Sequence, residues 1–204
     1  MIAIIDYGMG NLRSVEKGFL HVGADARVVS DSKSVQDADG IVLPGVGAFR
    51  DCIINLESIG LIQTIKREIE KGKPFLGICL GLQVLFTESE EFGHTEGLGI
   101  FKGRVPRFPE SDLKVPHMGW NAISYKNRPP IMSDVPEGSY MYFVHSYYVA
   151  PEDSSIIATT TDYGLPFTSM VWKDNVMATQ FHPEKSQTLG LRVLKGFSDF
   201  VSKA

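Results

Sequence analysis

Gly77-Ile78-Cys79-Leu80-Gly81 puts a thiol between two glycines, where an apolar run meets a helix-forming one. This is the cysteine form of the G-x-S-x-G nucleophile elbow, a sharp strand-to-helix turn that pushes its central side chain out at the sheet edge. Small flanking residues let the backbone crowd around that turn. A helix N-terminus beside the sulfur favours negative charge and a larger thiolate fraction. Cys79 is therefore placed to be a nucleophile, although the commoner fate of a cysteine is to pack as a small hydrophobe. Cys52 lies in an apparent helix with no such turn, and there the packing reading prevails.

A thiol nucleophile needs a base, and the base needs an orienting acceptor. Of the five histidines, His21 and His94 read as surface residues, and His145 as core or site wall. His117 sits in the Pro116–Asn121 loop-like segment. His182 ends an apolar strand in Gln180-Phe181-His182-Pro183-Glu184-Lys185-Ser186. In extended backbone, residues i and i+2 point the same way, and Pro183 biases its predecessor towards that geometry. Glu184 can then accept from one imidazole nitrogen while the other faces a thiol. Alone, His-Pro-Glu reads as a loop with a surface acid; with the elbow in the same chain, the triad Cys79, His182 and Glu184 is the better reading. No His/Cys/Asp/Glu spacing suits a metal, so neither metal nor cofactor is expected.

Thioester chemistry also needs an oxyanion stabiliser. Pro44-Gly45-Val46-Gly47 closes an apolar run, so the backbone N–H groups of Gly45, Val46 and Gly47, with that of Leu80, are the candidates. Taken alone, the Pro-Gly-x-Gly segment reads as an ordinary turn. Val46 is β-branched, and any active arrangement that needs a positive φ there is strained by about 1–3 kcal/mol.

The elements that must position these groups follow a strand–helix rhythm in the first half. Strands are predicted over Ile2–Ile5, Ala26–Val29, Gly40–Leu43 and Pro74–Cys79. Helices are predicted after Asn11 through Val22, over Ile59–Lys71 and over Leu80–Thr87. Such alternation implies a parallel sheet with helices on both faces. The second half reads as strands over Leu98–Val105, Asn121–Tyr125, Tyr140–Ala150 and Ile156–Asp162. A hairpin follows at Asp174-Asn175 between Thr168–Lys173 and Val176–Phe181, and then a helix over Ser186–Val201. The expectation is a single three-layer α/β domain over 1–204 with antiparallel strands added to a mostly parallel sheet.

The 204 residues suffice for such a core; 43% are hydrophobic and 22% charged. A net charge of −4 without a basic run argues against nucleic acid or an anionic membrane as partner. No apolar stretch approaches the roughly 20 residues of a membrane helix. Met1–Asp6 reads as a strand and not a signal peptide. Two cysteines give no disulfide framework, so a reducing, cytoplasmic setting is expected.

Taken together and in this order, Pro44–Gly47, Gly77–Gln83 and His182-Pro183-Glu184 resemble the class I, triad-type glutamine amidotransferases. The resemblance implies a flavodoxin-like fold and hydrolysis of L-glutamine, with Gln83, Glu91, Ser146 and Tyr147 around the substrate. Asp6–Val15, Pro116–Asn121, Phe143–Tyr147 and His182–Ser186 are similar to the branch of glutaminase subunits that serve imidazole glycerol phosphate synthases. That branch implies a heterodimer with a separate (β/α)8-barrel cyclase subunit. Asn11, Trp120, Tyr142 and Lys185 are candidates for the contact face, although Trp120 in a Pro/Gly-rich loop reads equally as a buried anchor. No Walker-type phosphate loop is present, and Gly8-Met9-Gly10 lacks the rest of a dinucleotide fingerprint. Glutaminases for anthranilate, aminodeoxychorismate or pyridoxal phosphate synthesis, a cysteine hydrolase of the same fold, and a catalytically dead binding subunit are the rival readings.

Overall fold

A computed structural model describes all residues, 1–204. The strands are β1 (Ile2–Ile5), β2 (Ala26–Val29), β3 (Gly40–Gly45), β4 (Phe75–Cys79), β5 (Glu88–Ser89), β6 (Thr95–Glu96) and β7 (Gly103–Val105). Then come β8 (His117–Ala122), β9 (Ser124–Tyr125), β10 (Tyr140–His145), β11 (Ala150–Pro151), β12 (Ile157–Asp162), β13 (Pro166–Lys173) and β14 (Val176–Thr179). The helices are α1 (Leu12–His21), α2 (Ser32–Asp37), α3 (Phe49–Ser58), α4 (Leu61–Glu70), α5 (Leu80–Gln83) and α6 (Gln187–Val201).

Eight strands form the main sheet in the order β2-β1-β3-β4-β14-β13-β12-β9. The first five are parallel; β13, β12 and β9 add antiparallel strands, with β13 and β14 joined through Asp174 at φ 52°. Strand periodicity sorts the side chains into two layers. Ile2, Ile4, Val42, Leu76 and Ile78 pack with Val15 and Phe19 of α1 and Val193, Leu194 and Phe197 of α6. Ile5, Ile41, Leu43 and Phe75 pack with Phe49, Cys52 and Leu56 of α3 and Leu61, Ile65 and Ile69 of α4. The parallel core with helices on both faces agrees with the expectation.

Several boundaries differ. Strand β3 does not stop before Pro44 but continues, pairing Pro44 with Ile78 and Gly45 with Cys79. Proline is tolerated because β1 pairs with β3 only as far as Val42, so the absent N–H faces no neighbour. The helix expected over Leu80–Thr87 is one turn, α5. The carbonyls of Val84, Leu85 and Phe86 instead accept from Leu98, Phe101 and Gly99, which also removes most of the strand expected over Leu98–Val105. The run Tyr140–Ala150 is broken between His145 and Ala150, and β8 starts four residues earlier than Asn121. Two helices cover 49–70 where one was expected from Ile59, with Gly60 (φ 70°) between them. Helix α2 was not foreseen, although Asp31 caps it by accepting from the Ser34 N–H at 2.9 Å.

Candidate active site

Strands β3, β4 and β14 run in parallel, so their C-terminal ends meet at one edge, where Val46, Cys79 and His182 each emerge within three residues of a strand end. Cys79 is held at φ 54°, ψ −103°, a conformation worth roughly 1–3 kcal/mol of strain. The flanking glycines permit it by close approach. A Cβ on Gly77 would lie 2.5 Å from the Gly81 carbonyl oxygen, and one on Gly81 only 1.9 Å from that of Leu43. The helix after the elbow is a single turn, so the macrodipole expected to draw charge to the sulfur is small. Charge is instead supplied by side chains.

His182 Nδ1 lies 2.8 Å from Glu184 Oε1, with both side chains 2% exposed. The geometry that joins them is not the extended one expected. Pro183–Lys185 forms a 3-10 turn that curls Glu184 back onto the ring. The ring is further fixed through its backbone. Its N–H donates to the Tyr142 carbonyl, and its own carbonyl accepts from Ser186 Oγ, which in turn accepts from the Tyr142 N–H. Burial opposes charge on the imidazole, yet the Cys79 sulfur and the Glu184 carboxylate outweigh it and lift His182 to about 10. Its Nε2 is buried without a hydrogen-bond partner. The Cys79 thiol lies 3.9 Å from the Val144 carbonyl, and Gln180 Nε2 donates to the sulfur at 3.6 Å. Cys52, by contrast, is fully buried and burial pushes its thiol up to about 12, which leaves it a packing group.

A cavity of about 250 Å³ opens over the sulfur, its walls formed by Val46, Gly47, Leu80, Gln83, Glu91 and the Val144–Tyr147 turn, among others. Gly45 does not line this cavity: it ends β3, paired with Cys79, and a side chain there would meet the Tyr7 hydroxyl and the Leu80 side chain. The N–H groups of Val46, Gly47, Ser146 and Tyr147 find no acceptor within the protein. That of Leu80, first in its turn, has no intrahelical acceptor. Gly47 takes the positive φ, 95°, whereas Val46 keeps a negative one. Gln83 Nε2 donates to the Tyr147 carbonyl (3.0 Å) and to Gln180 Oε1 (3.2 Å). Glu91 Oε2 accepts from the Phe49 N–H at 2.7 Å, capping α3.

Trp120 is exposed, not a buried anchor. Its ring lies 6.0 Å from that of Tyr142, and Lys185 Nζ sits 5.8 Å from the Tyr142 ring. These three form one patch, while exposed Asn11 precedes α1 and accepts from Ser14 Oγ. Gln180, Ser186 and the Val144 carbonyl were missed as site groups. Gln180 carried a signal, since it lies two residues before His182 in the same extended run.

This set of groups can attack a carboxamide, hold the resulting oxyanion and protonate the leaving nitrogen. The comparisons with known proteins agree. Over residues 3–198 the chain matches the family described as Glutamine amidotransferase class-I. It is 62% identical to the imidazole glycerol phosphate synthase subunit HisH of Syntrophotalea carbinolica, over 98% of this chain and 100% of that one. It is 58% identical to that of Geobacter sulfurreducens (97% and 98%) and 55% to that of Aquifex aeolicus (98% and 97%). Among solved structures, one described as a glutamine amidotransferase superposes with a TM-score of 0.77 at 16% identity, over 99% of this chain and 100% of that one. Thermotoga maritima PurLQS gives 0.76 at 17%, over 98% and 97%. With the family matched almost from end to end and close relatives covering the same length, the chain belongs to the class-I glutamine amidotransferases.

Proposed function

We propose that the chain is the glutaminase subunit of an imidazole glycerol phosphate synthase. It hydrolyses L-glutamine to L-glutamate and passes the ammonia to a separate (β/α)8-barrel cyclase subunit in a heterodimer. The cyclase makes imidazole glycerol phosphate and aminoimidazole carboxamide ribotide, in histidine biosynthesis. The observation that carries this reading is full-length identity of 55–62% to relatives bearing that subunit's name. A cytoplasmic setting fits the two free thiols.

The geometry supports the following chemistry. The Cys79 sulfur attacks the side-chain carbonyl carbon of glutamine, and the negative charge that develops on oxygen is met by N–H groups from Val46, Gly47 and Leu80. The His182 imidazolium gives its Nε2 proton to the amide nitrogen, the C–N bond breaks, and ammonia leaves a thioester. Neutral His182 then takes a proton from water as that water attacks the thioester, releasing glutamate and restoring the sulfur. Glu184 holds Nδ1–H throughout and favours the charged ring. The free N–H groups of Ser146 and Tyr147 suit the substrate carboxylate, and Glu91 its ammonium. Trp120, Tyr142, Lys185 and Asn11 offer the partner face. Because Val46 rests unstrained, we assign it a brake, released when the bound cyclase and its nucleotide turn the Gly45–Val46 peptide.

The test is purification with the associated chain and assay of both nitrogen sources. The Cys79→Ala assembly should make cyclase product from ammonium salt at alkaline pH but not from glutamine. Loss of both activities would require this chain to contribute to the cyclase site itself, and loss of neither would remove Cys79 from the reaction.

A further inference from the structure

Strands β8 and β10 form a two-stranded ribbon whose outer face carries Met118, Trp120 and Tyr140. Its inner face carries a second pair of histidines, separate from the triad. His145 Nδ1 lies 2.8 Å from the Tyr147 carbonyl oxygen, His145 Nε2 lies 3.1 Å from His117 Nδ1, and His117 Nε2 lies 3.3 Å from Asn121 Nδ2.

The direction of every bond in this chain is forced. A carbonyl only accepts, so His145 carries its proton on Nδ1 and its Nε2 accepts. His117 must then donate from Nδ1, and its Nε2 accepts from the Asn121 amide. That amide cannot be flipped, because its oxygen accepts from the Ala122 N–H and its nitrogen donates to the Asp162 carbonyl. Both rings are neutral, and both carry the Nδ1–H tautomer, the minor one for free imidazole. Burial favours this state, pushing His117 down to about 4 and His145 to about 3. The His117 ring is clamped between Phe143 (5.0 Å) and Tyr163 (4.0 Å).

The chain ends on the cavity wall. The Tyr147 carbonyl receives two donors, His145 Nδ1 and Gln83 Nε2, which occupy both of its lone pairs. Its peptide is thereby pinned from behind while the Ser146 and Tyr147 N–H groups stay free. A neutral His145 also places no second positive charge beside His182.

We propose that His145 and, through it, His117 are positioning residues for substrate: their one-way hydrogen-bond chain from Asn121 fixes the Ser146–Tyr147 turn that receives glutamine. This rests on the glutaminase reading. Its effect is on substrate affinity more than on the chemical step, since neither ring touches the reacting atoms.

The test uses the assembly with its partner. His145→Leu should raise KM for glutamine about tenfold, the cost of one buried hydrogen bond, with kcat changed less than about threefold. His145→Asn can place an amide N–H where Nδ1 was and should recover most of the KM. His117→Leu should have a smaller effect in the same direction, and the double variant should be no worse than His145→Leu. Unchanged KM in a folded His145→Leu protein, or no recovery with Asn, would overturn the proposal. If the Leu variants do not fold, nitrogen-15 spectra of histidine-labelled wild type decide. Both rings must show the Nδ1–H tautomer at neutral pH, and Nε2–H on either overturns the chain. A wild-type assembly that releases no glutamate would instead sink the glutaminase reading and leave the tautomer result standing.

Discussion

The two ends of the parallel strands present opposite chemistry. At the N-terminal edge lies the larger opening, a cleft of about 880 Å³ lined by Met1, Asp39, Glu68, Lys71 and Lys73, among others. There each of these charges has a partner. The Met1 amino group pairs with Asp39, and Glu68 pairs with Lys71 at 2.7 Å and Lys73 at 3.0 Å. Lys73 also donates to the Val35 and Gln36 carbonyls. At the C-terminal edge the cavity is under a third of that size, yet His182 Nε2, Glu184 Oε2 and the free N–H groups in its wall lack protein partners. Volume does not locate the chemistry here. Buried polar groups without partners serve better: His182 Nε2 and Glu184 Oε2 are two of four such side-chain atoms, the others being the Tyr7 hydroxyl near Gly45 and Thr161 Oγ1 in β12.

The sharpest way to break the contrast is at the sulfur. Cys79→Ala should lower glutamate release by at least about a thousandfold without unfolding the chain, measured by glutamate production alongside thermal melting. Residual activity near wild type would move the reaction elsewhere, the larger cleft included. Glu184→Gln comes next, with a loss of about a hundredfold in kcat/KM. His182, held at about 10 partly by that carboxylate, should titrate lower in the variant. The imidazolium exists below the pKa, so the alkaline limb of the pH profile should move to lower pH, and a fixed limb would remove Glu184 from control of the ring. The same raised pKa contributes stability that is present below about 6.5 and lost as pH rises through about 10.

Smaller effects sharpen the comparison further. Val46→Gly should raise glutamine hydrolysis by the chain without partner, by about thirtyfold if the strain is near the middle of its range. No change in steady-state rate would leave Val46 without a regulatory part. At the opposite edge, Glu68→Gln should leave glutamine turnover unchanged while lowering stability by about 2 kcal/mol, the scale of hydrogen bonds to charged groups. A urea midpoint and a glutaminase assay on one preparation check both halves. Loss of turnover in that variant would mean that the two edges are coupled.

Much of the scaffold was legible because pattern and structure agree where the chain is regular. Apolar runs between turn residues gave β1, β2 and β4, and α1 and α6 fall within the helices expected through Val22 and over Ser186–Val201. The misses gather around the cavity. Pro44 continues a strand because its neighbour has ended; Leu80–Thr87 gives up its helix to bonds with Leu98, Gly99 and Phe101; Tyr140–Ala150 breaks to make a wall. Each is decided by a tertiary partner that no local window contains. The proposed triad was legible because Cys79 and the His-x-Glu spacing are rare chemistry in known company; the structure adds the 2.8 Å contact between His182 and Glu184. Ser186, the Val144 carbonyl and the pinning of Tyr147 depend on β10 lying beside the His182 segment, and no spacing in the sequence reports that.

The position of β14 has a consequence for synthesis. It is the last strand in the chain yet lies inside the sheet, between β4 and β13, pairing Val176 with Phe75. A ribosome therefore releases the elbow long before the strand that leads to His182 exists. Every nascent chain and every fragment that stops before His182 holds the thiol without its proposed base. If the proposed triad is the machinery, a fragment that ends before β14 should release no glutamate from glutamine and so draw on none of the cell's nitrogen.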